Sequence, residues 1–155
     1  MENCVSAYGA LVKVRLSNPN PRPFLLGDGV RALPGTVEVD ALVSTGAFMT
    51  SIHPVLIGFP LGLPRVRETP SRLAVRGATA KVTTYAVDLE VEGIRFAALE
   101  VTDGCGGRDF VQARGLLEAD EGGPPVFHVI LGRDVLGHAR LVYEGARGAF
   151  DLVFP

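Results

Sequence analysis

Val39-Asp40-Ala41-Leu42-Val43-Ser44-Thr45-Gly46-Ala47-Phe48-Met49-Thr50-Ser51-Ile52 is the stretch whose reading decides the fold. An apolar run enters it, Ser-Thr-Gly-Ala makes a tight turn, and a further apolar stretch leaves. A weaker echo lies near the C-terminus, where Val126-Phe127-His128-Val129-Ile130-Leu131-Gly132-Arg133-Asp134 also runs an apolar segment into a glycine. Short apolar runs bounded by turn residues are the pattern of buried strands.

Outward from these two segments the chain reads as all-β. Gly and Pro punctuate short runs rich in Val, Leu, Thr and aromatics. Expected strands are 7–16, 36–43, 80–91, 94–101, 126–131, 141–143 and 150–154. Within 82–91, Thr83, Tyr85, Val87, Leu89 and Val91 alternate with Val82, Thr84, Ala86, Asp88 and Glu90, so one face is apolar and the other polar. Glu92-Gly93 turns this strand into the next, and residues 144–148 turn 141–143 into 150–154. The best helix is a short one over 133–139, with Asp134 near its start and Gly137 limiting its length. Residues 103–125, glycine-rich and charged, read as a surface loop. The whole chain, 1–155, is taken as one domain.

Composition narrows the function. With 47% apolar residues among 155, the chain can bury its own core. A net charge of -2 with interspersed signs offers no basic track for a nucleic acid. The apolar stretch 55–63 is broken by Gly58, Pro60 and Gly62 and is too short to cross a bilayer. The segment MENCVSAYGA has no basic head, apolar run and cleavage site, so the expected location is cytoplasmic. Cys4 and Cys105 have no zinc-type spacing, and the glycines around Asp103, Cys105 and Asp109 favour a flexible acidic loop over a metal site. No cofactor or metal is expected. Gly27-Asp28-Gly29-Val30-Arg31-Ala32 matches a loose dinucleotide pattern, but Pro34 and Gly35 follow where a helix should open, so a hairpin or loop is expected. Arg65, Arg67, Arg72 and Arg76 read as a solvated edge that discourages strand pairing.

Three features in order carry a family resemblance: the Ser44-Thr45-Gly46-Ala47 turn, a hairpin over 73–91 with Arg76-Gly77-Ala78 at its tip and Tyr85 on its return, and Ile130-Leu131-Gly132-Arg133-Asp134-Val135-Leu136. From Val39 to the C-terminus the chain resembles the retropepsin-like aspartic proteases. The resemblance implies a closed acid-protease-type β-barrel with a flap hairpin and one short C-terminal helix, assembled as a two-fold homodimer. It assigns Ser44, Thr45 and Gly46 to the catalytic turn and Ala47, Arg76, Gly77 and Ala78 to substrate binding. Ile130, Leu131, Gly132, Arg133 and Asp134 take a structural role. This chain departs from the family twice: Ser44 stands where the catalytic Asp belongs, and Phe48 where Ser or Thr follows.

In that family two carboxylates meet across the dimer axis and share a proton, one acting as base toward water while the other polarises the scissile carbonyl. A serine hydroxyl has no charge change near neutral pH and cannot take a proton from water. Asp40 has the same strand parity as Ser44 but lies about 13 Å back along an extended chain. Asp134 is expected to position the short helix and its Arg. Nothing in the spacing of His53, His128 and His138 identifies a base for a serine nucleophile. The expectation is therefore a catalytically inactive pseudoprotease that holds extended peptides as a homodimer. Its alternatives are an active aspartic endopeptidase whose Asp was substituted at position 44, and a structural dimerisation module.

Overall fold

The computed structural model describes residues 3–20, 23–26, 29–32, 35–71, 80–113 and 126–155. Its strands are β1 (Asn3–Ser6), β2 (Gly9–Ser17), β3 (Pro23–Leu26), β4 (Gly29–Ala32), β5 (Val37–Val43), β6 (Ser51–Ile52), β7 (Arg65–Ser71), β8 (Ala80–Val91), β9 (Ile94–Thr102), β10 (Val129–Leu131), β11 (Arg140–Glu144) and β12 (Ala149–Val153). Three short helices are α1 (Pro54–Ile57), α2 (Arg108–Ala113) and α3 (Arg133–Leu136).

Alternation builds the barrel. In β2, Val12, Val14 and Leu16 are buried while Lys13 and Arg15 face solvent, and in β8 Val87, Leu89 and Val91 are buried in turn. Six strands close in the order β2-β5-β10-β6-β9-β8, and β8 returns to β2 through register pairs running from Val14↔Val91 to Ser17↔Asp88. Closure leaves those six strands no edge between them. From the ring, β1, β12 and β11 extend outward on one side and β7 on the other, while β3 and β4 pair as a separate hairpin.

Strand β10 is buried at Val129, Ile130 and Leu131 alike, because both its faces are covered. Val129 and Leu131 join the barrel interior with Val39, Ala41, Ile52 and Val101. Ile130 faces a second cluster with Leu42, Phe110 and Phe127. The echo between the two apolar segments thus has a physical basis: β5 and β10 lie side by side, parallel, with Ala41 opposite Val129 and Val43 opposite Leu131.

Three expectations need correction. The strand expected over 7–16 starts two residues later, at Gly9, because Gly9 adopts φ +121° and Ser6 Oγ donates to the Gly9 carbonyl and accepts the Tyr8 N–H, which turns the chain at Ala7-Tyr8 from β1 into β2. The segment 103–125 is not wholly a surface loop, since α2 carries the buried Phe110 onto the outer face of β5 and β10. The helix near the C-terminus is shorter than 133–139, ending at Leu136 with Gly137 as its cap. Arg65–Ser71, unassigned by pattern, forms β7 against β8, and the tip connecting them falls outside the described residues.

Between β8 and β9 the register shifts, with Val87 opposite Leu99 but Leu89 opposite Phe96. The extra residue on β9 is accommodated at Ala98, which takes φ +49°. Asp88 holds this bulge: its carboxylate accepts the Ala98 N–H at 2.8 Å and pairs with Arg95. Burial works against the ionised carboxyl, but the Ala98 N–H and the Arg95 guanidinium outweigh it and hold its pKa below the usual carboxylate value. The native state therefore binds this proton less readily than the unfolded chain, so the contribution is present above about pH 4 and is lost as pH falls through the lowered pKa. Asp88→Ala should cost about 1–3 kcal/mol at pH 7 in urea denaturation, and the difference from the parent should shrink in acid.

Candidate functional site

The Ser44–Ala47 turn is built against the C-terminal end of β10. Ser44 N–H donates to the Leu131 carbonyl at 3.0 Å, Ala47 N–H to the Ser44 carbonyl at 3.3 Å, and Arg133 N–H to the Ala47 carbonyl at 2.9 Å. The turn thus straddles the junction between β10 and α3. Ser44 and Ala47 are half-buried, whereas Thr45 and Gly46 are exposed at the tip.

Beneath the turn sits a polar clamp. Thr50 is fully buried; its N–H donates to both carboxylate oxygens of Asp134 at 3.1 and 2.9 Å, and its hydroxyl donates to Oδ1 at 2.7 Å. The same hydroxyl accepts the Gly132 N–H at 3.1 Å, and Asp134 also accepts the N–H of Val135. A side chain on Gly132 has no room: a Cβ there would lie 2.5 Å from the Met49 carbonyl carbon and 2.9 Å from the Thr50 nitrogen. Ile130, Leu131, Gly132, Arg133 and Asp134 are therefore brought directly against the turn segment.

Neither candidate acid is free to serve position 44. Asp134 is engaged by Thr50, and Asp40 pairs with Lys13, its cross-strand neighbour on β2, at 2.8 Å. The histidines are likewise occupied. His53 caps α1, accepting the Val55 N–H at Nδ1, and its ring packs edge-on against Phe110. His138 packs on Phe96, and His128 lies 6.1 Å from His53 between ring centroids. Burial lowers the His128 pKa, with the Asp40 charge acting weakly the other way.

Phe48 does not pack inward: its ring is 76% exposed, with the Arg133 guanidinium 5.7 Å from the ring centroid. With Met49, Leu99, Glu100 and Asp134 these two residues line an open groove of about 520 Å³. Arg76, Gly77 and Ala78 lie outside the described residues. Among the described residues no group of His, Cys, Asp or Glu is placed to hold a metal ion, and no helix is long and apolar enough to cross a membrane.

Pattern reading missed Thr50 and the Phe48–Arg133 contact. A buried threonine in an apolar run, paired with an acid two residues beyond the Gly of Ile130-Leu131-Gly132, is the signal for the clamp. No protein-family model matches the chain, and no curated protein matches it.

Replacing the clamp hydroxyl by a methyl group of the same shape, Thr50→Val, strands the Gly132 N–H and one carboxylate bond, and should cost about 1–3 kcal/mol by thermal or urea melting. Gly132→Ala should cost as much or more, since backbone rather than a flexible side chain blocks the new carbon.

Proposed function

We propose that this chain is a retropepsin-like barrel with a vacated catalytic position, acting as a pseudoprotease that pairs with a second copy and holds an extended peptide. The observation that carries the reading is the turn itself. Ser44-Thr45-Gly46-Ala47 is held by β10, α3 and the Thr50–Asp134 clamp, while position 44 offers a hydroxyl and the acids nearest in the motifs are engaged elsewhere.

The acid-protease type of barrel is supported by β10 lying between β5 and β6, the two strands that the turn connects. The flap is supported by β7 and β8, whose antiparallel pairing reaches Ser71↔Ala80 at the approach to Arg76, Gly77 and Ala78. The two-fold pairing is supported by the exposed tip, Thr45 and Gly46, and by the exposed Phe48 beside it. In such a pair two Ser44 hydroxyls face each other as a neutral couple, without the shared proton that peptide hydrolysis of the aspartic type requires. A peptide is held by backbone pairing, with Gly46 and the flap tip supplying main-chain contacts and the groove at Phe48 and Leu99 accepting an apolar side chain.

The unmodified chain should leave a denatured protein uncut between acidic and neutral pH, while Ser44→Asp, alone or with Phe48→Ser, should gain cleavage blocked by a pepstatin-like inhibitor. Cleavage by the unmodified chain at the rate of the Asp form would overturn the reading. A dimer that binds neither peptide nor inhibitor, with or without Asp at 44, would point to a structural dimerisation module instead.

A further inference from the structure

The open groove beside the turn is lined by three charged residues, and two of them are already matched. Glu100 holds the Arg67 guanidinium, with Nε 2.7 Å from Oε1 and Nη2 2.8 Å from Oε2, and the Thr84 hydroxyl also donates to Oε1 at 2.8 Å. Asp134 accepts the Thr50 N–H and hydroxyl and the Val135 N–H. Arg133 differs from both. Its main-chain N–H serves the Ala47 carbonyl, but its side chain is exposed, and among the described residues no carboxylate lies within 4 Å of the guanidinium. The unmet charge of the groove is therefore positive.

Phe48 governs how that cation is presented. The guanidinium carbon lies 5.7 Å from the centre of the ring, within the range of a cation–π contact. A guanidinium resting on an aromatic face keeps its N–H edge for a planar acceptor, and a carboxylate meets that edge with two parallel hydrogen bonds. The phenyl ring has no acceptor atom of its own, so it holds the guanidinium without consuming its donors. Met49 and Leu99, both half-buried, supply an apolar lining beside it.

We infer that this groove selects an acidic side chain: a glutamate of an extended peptide lays its methylene stem on Met49 and Leu99 and sets its carboxylate against the edge of the Arg133 guanidinium. This selection rests on the peptide-holding pseudoprotease proposed above and names the class of peptide it holds. The apolar lining accepts the stem, and Arg133 discriminates by what the stem carries at its end. A glutamine offers one acceptor oxygen where glutamate offers two, and its NH₂ group would face the guanidinium donors. A lysine sets like charge against like. A small free anion would reach Arg133 but leave the lining at Met49 and Leu99 uncovered. Arg133 is the specificity-determining residue, and Phe48 is a positioning residue that acts through it.

Equilibrium dialysis of the full chain against mixed octapeptides tests this, with circular dichroism melting as the control for folding. The peptides are N-acetylated and C-amidated, with one position at a time held as Glu, Gln or Lys and the others a mixture of Ala, Val, Leu and Thr. The unmodified chain should retain Glu over Gln about fivefold at one interior position, with Lys retained least. Arg133→Gln should abolish that preference without shifting the melt, because the bond to the Ala47 carbonyl is made by the main chain. Arg133→Lys keeps the charge but not the planar fork and should keep only part of the preference. Phe48→Tyr should preserve it, and Phe48→Leu should reduce it roughly two- to threefold. Enrichment confined to a parallel set with Gln at the tested position and a free C-terminal carboxylate would move the acid to the end of the peptide and overturn the side-chain assignment. Peptides retained with no preference for Glu, or with one that Arg133→Gln leaves intact, would overturn the inference while the peptide-holding reading stands. A folded chain that retains no peptide at all would overturn both.

Discussion

Strand β10 can lie between β5 and β6 only because the backbone at Gly132 passes against the peptide joining Met49 to Thr50 at a distance no side chain permits. That close approach brings the Thr50 hydroxyl within reach of the Gly132 N–H and places Asp134, on the first turn of α3, over the Thr50 N–H and hydroxyl together. A half-buried carboxylate is costly unless its lone pairs are satisfied, and here Thr50 and Val135 satisfy them. The closed barrel, the position of α3 and the shape of the Ser44–Ala47 turn all follow from this one contact. A wider spacing at Gly132 would separate Arg133 N–H from the Ala47 carbonyl and release the turn.

The elements that pattern reading located are those whose burial is one-sided or continuous. Val87, Leu89 and Val91 alternate because β8 has an interior face, and Val129-Ile130-Leu131 does not alternate because β10 has two. Elements whose placement depends on a partner far along the chain were not legible. Nothing local in Arg65–Ser71 says strand; it becomes one by pairing with β8. Helix α2 holds its place through Phe110, a single aromatic in a polar and glycine-rich segment, too little for a periodicity to register.

The site divides in the same way. The turn and the Ile130–Asp134 segment are contiguous motifs and could be read along the chain. The clamp joins Thr50 to Asp134 across 84 positions, so the sequence carries its two halves but only the fold brings them together. Ser44 and Phe48 also act at the turn in different physical ways. Ser44 offers a hydroxyl, while the bonds of the turn to β10 use only the main chain. Phe48 shapes the surface instead, setting an exposed ring beside a guanidinium at the groove.

Strand β10 is central to the barrel yet comes after β5 and β6, its two neighbours in the ring, by more than 70 residues. Its parallel pairing with β5 and antiparallel pairing with β6 each join residues about half the chain apart, and both must be made before the ring can close. Contacts of such long sequence separation carry a large loop-closure entropy before they return any stability, which slows folding. Until residues 129–131 are in place, the edges of β5 and β6 that flank β10 have no partner. The ring thus closes around a strand that arrives long after its two neighbours, and its period of greatest exposure to misassociation spans the making of residues 53–131.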